Sequence, residues 1–174
     1  QDGARYQFLA QQAKTDNLNY MMNLLKTLAK NEMAHAKILY DYILKYGNIQ
    51  KNIDVSAGYP FMPYQLDPGL KLASESEFAQ FDSIYPSLAK IARDEGYEDI
   101  ANSLLMIAGV ENCHFKQLTE LHKKLISNKL YKMPQPNKWK CSKCGYESTA
   151  KESWTTCPLC YYDQGYTIIP LSDN

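Results

Sequence analysis

The sequence predicts an all-α four-helix bundle followed by a small metal-bound C-terminal domain. Three observations carry that expectation. Four stretches show apolar residues at helical spacing, two of them contain the phrase Glu-x-x-His, and the last quarter of the chain holds two Cys-x-x-Cys pairs. A length of 174 residues accommodates one domain of ordinary size and an appendage, with 45% hydrophobic residues to build a core.

The first helix is expected over Ala4–Ala13, where Tyr6, Leu9, Ala10 and Ala13 recur on one face. Lys14-Thr15-Asp16-Asn17 reads as a turn, with Asp16 or Asn17 capping a long second helix that ends near Gly47. Its apolar face should run from Leu18 through Met21, Met22, Leu25, Leu28, Ala29, Ala36 and Leu39 to Ile43, interrupted by Glu32 and His35. Pro60, Pro63, Pro68 and Gly58 make the segment 48–68 a long irregular connection, which lets the helices on either side run parallel. A third helix is expected from about Leu70 to Asp94, bent or divided at Pro86 and stopped by Gly96, with Glu77 and Gln80 in its first half. The fourth, about Glu98 to Ile126, presents Ile100, Leu104, Ile107, Ala108, Glu111, His114, Phe115, Leu118 and Leu121 inward. Four helices with one long crossover describe a ferritin-like bundle over 1–130.

After Ser127 the helical period ends. Residues 131–138 contain prolines and read as a linker, and 139–174 as a domain too small to fold without its metal. Cys141-x-x-Cys144 and Cys157-x-x-Cys160, separated by residues 145–156, form two thiolate knuckles suited to tetrahedral coordination. Iron and zinc both accept four thiolates, so spacing leaves the metal open. Trp139, Tyr146, Trp154 and Tyr161 are candidates to shield it. Cys113 is expected to be a buried small hydrophobe and His122 a structural residue.

A formal net charge of zero, from 19 basic and 19 acidic residues, offers no stripe for nucleic acid. The apolar runs, such as Leu104–Ala108, fall far short of the roughly 20 residues that cross a bilayer, so no membrane association is expected. Cysteines in metal-type pairs point to a reducing, cytoplasmic compartment. The chain begins at Gln1 already within a helical pattern, and further residues are expected upstream.

Two of the three histidines follow a Glu by three residues on the apolar face of a long helix. Residues so spaced share a face, so each pair can present a carboxylate and an imidazole to one point. Burying such groups without a partner would cost several kcal/mol, and a metal is the natural partner. Di-iron and di-manganese bundles use this arrangement together with a lone Glu from each remaining helix, a role Glu77 can fill. Two other readings stay open: a ferroxidase or iron-handling protein, and a zinc-stabilised interaction module in which the bundle is scaffold.

Ala4-Arg5-Tyr6, Glu32-Met33-Ala34-His35-Ala36, Ile84-Tyr85-Pro86, Asp94-Glu95-Gly96-Tyr97, Glu111-x-x-His114 and the Trp139 to Cys160 cysteine pattern stand in an order and spacing that resembles rubrerythrin. That family joins a ferritin-like di-iron domain to a rubredoxin-like domain, and the resemblance covers almost the whole chain. It implies that Glu32, Glu77 and Glu111 are iron-bridging or terminal carboxylates, with His114 on one iron and His35 on the other. It implies that Tyr6 and Tyr85 hydrogen-bond ligand carboxylates, and that Cys141, Cys144, Cys157 and Cys160 hold a single iron, with zinc as the alternative occupant. The activity implied is reduction of hydrogen peroxide to water in oxidative-stress defence. Electrons would come from an NAD(P)H-dependent oxidoreductase or a rubredoxin, and the protein would be a homodimer.

The chain departs from the family's pattern twice. The first-helix Glu ligand would fall just before Gln1, with Asp2 the nearest carboxylate within the sequence. Gln80 occupies the position of a second third-helix Glu, which exchanges with the second-helix histidine when the iron changes oxidation state. An amide supplies no anionic ligand there, and Gln80 is expected to raise the di-iron potential and leave His35 bound in both states.

Overall fold

The computed structural model describes residues 1–47, 54, 56, 58 and 65–172. Most of the expected connection over 48–68 lies outside the described residues. Helix α1 spans Asp2–Thr15 and buries Gly3, Tyr6, Leu9, Ala10 and Ala13, the periodicity expected. Its end corrects one expectation. Asn17 takes a left-handed φ of 58°, its N–H bonding Lys14 O at 3.1 Å while the Leu18 N–H bonds Ala13 O at 2.8 Å. This paired closure satisfies the last carbonyls of α1, so Asn17 finishes that helix instead of capping the next.

Helix α2 spans Asn19–Gly47 and buries Met21, Leu25, Leu28, Ala29 and His35. Beyond His35 the expected apolar face is covered only in part: Leu39 packs against the cluster of Ala89, Ala92, Ala101 and Leu104, whereas Ala36 is exposed and Ile43 is 43% exposed. Helix α3 runs Leu66–Ala79, starting four residues earlier than expected. Pro68 falls in its first turn, where the missing N–H would have had no intrahelical partner. The expected break near Pro86 is a π turn over Gln80–Ile84, with Pro86 then placed in the first turn of α4, Tyr85–Asp94. Gly96, at φ 88°, closes α4 as Asn17 closes α1, the Tyr97 N–H bonding Ala92 O at 2.8 Å. Helix α5, Glu98–Ile126, buries Ala101, Leu104, Ile107, Ala108, Glu111, His114, Leu118 and Leu121. Helix α1 packs on α2, and α3 and α4 on α5.

The tail begins with a correction. Residues expected to be a linker form most of strand β1, Lys132–Lys140, antiparallel to β2, Glu147–Glu152. The ladder is interrupted between Lys132 and Asn137, the stretch holding Pro134 and Pro136, because proline has no N–H to donate. Trp139 is fully buried and its indole N–H donates to Ala150 O at 2.9 Å. The tail also joins the bundle core: Leu130, Ile169 and Leu171 cluster with Leu118, Leu121 and the inner face of α1 to α3. Ser172 donates to the Glu120 carboxylate from its N–H at 2.8 Å and its hydroxyl at 2.7 Å.

Gly165 is the tightest contact of this docking. A Cβ there would collide with the carbonyl oxygen of Asn17, and backbone cannot swing away as a side chain can. Gly165→Ala is therefore expected to destabilise the protein by about 1–3 kcal/mol or more. Thermal unfolding of the two proteins side by side checks this, and an unchanged melting temperature would contradict the docking.

Candidate metal centre

Helical spacing carries Glu32 and His35 inward from α2, Glu111 and His114 from α5, and Glu77 from α3. Glu32, Glu77, Glu111 and His114 each bring a ligand atom within 4.8 Å of the others. His114 Nδ1 lies 3.0 Å from Glu111 Oε2, 3.3 Å from Glu32 Oε1 and 3.8 Å from Glu77 Oε1. His35 is outside that compact group but flanks it, with Nδ1 3.1 Å from Glu111 Oε1 and 3.9 Å from Glu32 Oε2. Glu77 and Glu111 are fully buried, His114 nearly so.

The polar accounting argues for metal. Glu32 Oε1, Glu77 Oε2, both oxygens of Glu111, and Nδ1 of His35 and of His114 are buried without a hydrogen-bond partner among the described residues. They point at one another, and orphaned buried groups of this kind are rare unless something else satisfies them. Divalent metals of the iron and manganese class accept this mixed oxygen and imidazole donor set. The residues present therefore fit a carboxylate-bridged pair of metals.

Without a cation the cluster must share protons. Burial disfavours charge on His114, but its contacts with Glu111, Glu32 and Glu77 outweigh that and push its pKa up to about 11. Glu111 and Glu32 likewise raise His35 to about 9. Burial would raise Glu111, yet His114 and His35 pull it down to about 2. Burial dominates at Glu77 and lifts it to about 7, despite His114 and Tyr6. A bound metal must displace the protons of both imidazoles, and part of that on Glu77.

Loading at neutral pH is thus expected to release about two protons or slightly more. Calorimetry in buffers of different ionisation enthalpy counts them, and release of none would contradict the ligand set. The sign for stability follows from the same values. The raised pKa values of Glu77 and His35 contribute stability below their ordinary 4.5 and 6.5, lost as pH rises through about 7 and about 9. The metal-free protein should accordingly melt at lower temperature as pH climbs from near 5 to about 9, and the loaded protein should not.

Around these ligands, Tyr6 from α1 is buried and donates to Glu77 Oε1. Its burial and the Glu77 charge push its phenol well above the ordinary range, so it remains a donor. Tyr85 is partly buried; burial first, then the charges of Glu111, Glu32 and Glu77, raise its phenol too, so it stays protonated. It forms no hydrogen bond to a carboxylate among the described residues, so the expected bond to a ligand is seen for Tyr6 alone. Sequence reasoning missed Asn31, whose carboxamide faces His114 Nε2 at 3.2 Å. Amide oxygen and nitrogen are interchangeable by a flip, and an Asn31 oxygen accepting from Nε2–H leaves Nδ1 as a lone pair for metal. No local pattern links residues 31 and 114.

Further residues differ from expectation. Asp2 does not join the ligand group: it pairs with Arg5 Nη1 at 2.8 Å and accepts from the Gln80 amide at 3.2 Å. Cys113 is exposed, because α5 turns it away from His114 toward solvent. His122, in contrast, is structural as expected, bonding Asp67 at 2.7 Å across α5 and α3.

The second cluster brings Cys141, Cys144, Cys157 and Cys160 within 4.8 Å. Cys141 and Cys160 sulfurs are 3.8 Å apart, and those of Cys144 and Cys157 3.7 Å. A tetrahedron with metal–sulfur bonds of about 2.3 Å has edges of about 3.8 Å, whereas a disulfide requires about 2.05 Å. The two knuckles match in backbone. Cys141 N–H bonds Tyr146 O and Cys157 N–H bonds Tyr162 O, each at 2.8 Å, and Gly145 at φ 78° corresponds to Tyr161 at φ 60°. Burial opposes ionisation of Cys157, but N–H groups of Cys160 and Leu159 help pull its thiol down to about 7. Trp139 is buried beside this site, and Tyr146 stacks edge-on against Trp154 at 5.3 Å. Tyr161 is 80% exposed and shields nothing.

The rubrerythrin family profile matches residues 1–66 and 68–148. Rubrerythrin of Clostridium perfringens is 31% identical over 163 residues, 93% of this chain and 83% of its own length. Rubrerythrin-1 of Clostridium acetobutylicum is 33% identical over 171 residues, 98% of this chain and 87% of its own. Nigerythrin in a mixed-valence state superposes with a TM-score of 0.62 at 17% identity, over 95% of this chain and 78% of that one, which establishes a shared fold. No described helix is long and apolar enough to cross a membrane. Since the similarity runs through the carboxylate cluster and on into the cysteine knuckles, this chain belongs to the rubrerythrin family.

Proposed function

We propose that the protein reduces hydrogen peroxide to water at two irons held by Glu32, His35, Glu77, Glu111 and His114, with electrons arriving through iron bound by the four cysteines. The observation that carries the reading is the convergence of buried, unpartnered carboxylate and imidazole atoms from three helices, in a chain that also bears a tetrathiolate site. Each turnover takes two electrons and two protons and gives two waters from one peroxide. Iron held by these ligands would supply the electrons and polarise the O–O bond. The protein's own part is orientation and protons. Asn31 and Tyr6 hold His114 and Glu77 in place. The Tyr6 proton is committed to Glu77, which makes Tyr85 the phenol available to donate.

The chain's geometry supports a homodimer. The tail is fastened where α1 turns into α2 and where α5 ends, whereas Glu32 lies 13 residues into α2, about 20 Å along the axis. A second copy would bring a tetrathiolate iron to the carboxylate centre more directly. Exposed Met33, Tyr40 and Leu44 on α2 and Leu88 and Ile91 on α4 are surface that such a partner would cover. The external donor is taken to be an NAD(P)H-dependent oxidoreductase or a rubredoxin, and the setting a reducing cytoplasm.

Iron-loaded protein supplied with NADH and such an oxidoreductase should consume peroxide catalytically. Ferrous oxidation with mineral growth and no turnover would favour the iron-handling reading. A colourless purified protein that stays colourless with ferric iron would favour the zinc module.

A further inference from the structure

The segment that follows the second cysteine knuckle, residues 163–172, runs from the tetrathiolate site into the bundle. Both knuckles hold its near end. Cys157 N–H bonds Tyr162 O at 2.8 Å and Thr156 pairs with Asp163, so the second knuckle closes where the segment begins. Ser142 of the first knuckle donates to Tyr166 O from its N–H at 2.8 Å and its hydroxyl at 2.7 Å. Cys141 pairs with Thr167, which is fully buried, and the Ile168 N–H bonds Lys140 O at 2.8 Å.

The bundle holds the rest. Gly165 lies against the Asn17 carbonyl where α1 turns into α2, Ile169 and Leu171 are buried with Leu118 and Leu121 of α5, and Ser172 bonds Glu120. Apart from a 3-10 turn over Gln164–Tyr166 the segment has no helix or strand of its own. Its order therefore rests on these two anchorages, which offset the conformational entropy lost in fixing it. The anchorage at the knuckles depends on a cation, because thiolates whose sulfurs lie 3.7 and 3.8 Å apart repel one another without one.

We infer that the metal of the four cysteines has a second role: through residues 163–172 it braces the bundle, so that a cation bound in the tail stabilises α1, α2 and α5, and the folded bundle in turn tightens the tail's hold on its cation. Linkage makes the two effects reciprocal. The role is independent of peroxide chemistry, since zinc would brace the bundle as iron does.

The test loads the cysteines alone. The metal-free, reduced full chain is given one equivalent of cadmium(II), a soft cation that prefers thiolate to carboxylate, and the cadmium–thiolate absorption confirms where it sits. Helical circular dichroism then reports the bundle, since the α-helices of the described residues all precede Ser127. Their melting temperature should rise by about 5 °C or more with the cation, whereas a tail that folded independently would leave it where it was. In a chain carrying Ile169→Ala and Leu171→Ala the absorption should still form, with cadmium held about tenfold more weakly and less than about half of the rise remaining. Gly165→Ala, which pushes the segment off the Asn17 carbonyl, should act in the same direction and keeps the inference testable if the double variant folds poorly. Helix melting unchanged by a fully formed cadmium–thiolate site, or a folded variant of either kind that keeps the whole rise, would overturn the inference.

Discussion

Glu111→Gln is expected to lose the metal pair while keeping the helices. Glu111 makes the closest approach to both imidazoles, at 3.1 Å from His35 and 3.0 Å from His114, against 3.9 Å and 3.3 Å for Glu32. An amide in its place removes a negative charge from both positions and leaves an N–H group facing a cation. Affinity should fall by about 100-fold or more, beyond what removal of a supporting residue produces. Leu104, Ile107, Leu118 and Leu121 continue to hold α5, so helicity should persist. Metal analysis after dialysis, alongside circular dichroism, separates the two outcomes. Retention of two metals per chain would contradict the assignment of Glu111 as a shared ligand. Acid should act on the same residue in the parent protein. With its pKa depressed from 4.5 to about 2, Glu111 contributes stability above 4.5 that is lost as pH falls through about 2.

The second large effect is expected at the tail. Cys157→Ser replaces a buried thiol that its surroundings favour as thiolate with a hydroxyl that does not ionise. The remaining three sulfurs cannot complete a tetrahedron, and the tail loses a stabilisation that reaches about 10 kcal/mol or more in small metal-dependent folds. It should not detach, because Ile169 and Leu171 remain in the bundle core. The visible absorption of ferric tetrathiolate should vanish and donor-driven peroxide reduction should stop. A chemically reduced carboxylate centre should still react once with peroxide. Undiminished donor-driven turnover would show that electrons do not pass through the cysteines.

Most of the helical architecture was legible because core burial imposes its period on the sequence. Tyr6, Leu9, Ala10 and Ala13 are spaced by the inner face of α1, and Glu32, His35, Glu111 and His114 stand out because charged residues break an apolar stripe. The cysteine knuckles were legible for a different reason, since tetrahedral coordination fixes ligand spacing locally. What escaped notice depends on contacts between distant residues. Asn31 meets His114 across two helices, and Asp2 meets Gln80 across 78 positions. Asn17 carries the residue type of either a helix start or a helix end, and only its positive φ decides. Pro134 and Pro136 read as linker because proline rarely sits in a strand, yet here they occupy the gap in the ladder. Beyond His35 on α2, Leu39 still packs against Ala89, Ala92, Ala101 and Leu104, while Ala36 and Ile43 follow the core period but face outward, a difference the period alone does not show.

On the proposed function, peroxide reduction at the carboxylate centre draws electrons from the tetrathiolate iron. Rapid mixing of the fully reduced, iron-loaded protein with one equivalent of hydrogen peroxide under anaerobic conditions tests it, with the absorption of both iron sites followed together. The expected result is loss of peroxide within the mixing experiment, oxidation at the carboxylate centre, and return of the red ferric tetrathiolate absorption at a rate at least equal to turnover. A tetrathiolate iron that stays reduced after the peroxide is consumed and the carboxylate centre oxidised would contradict it.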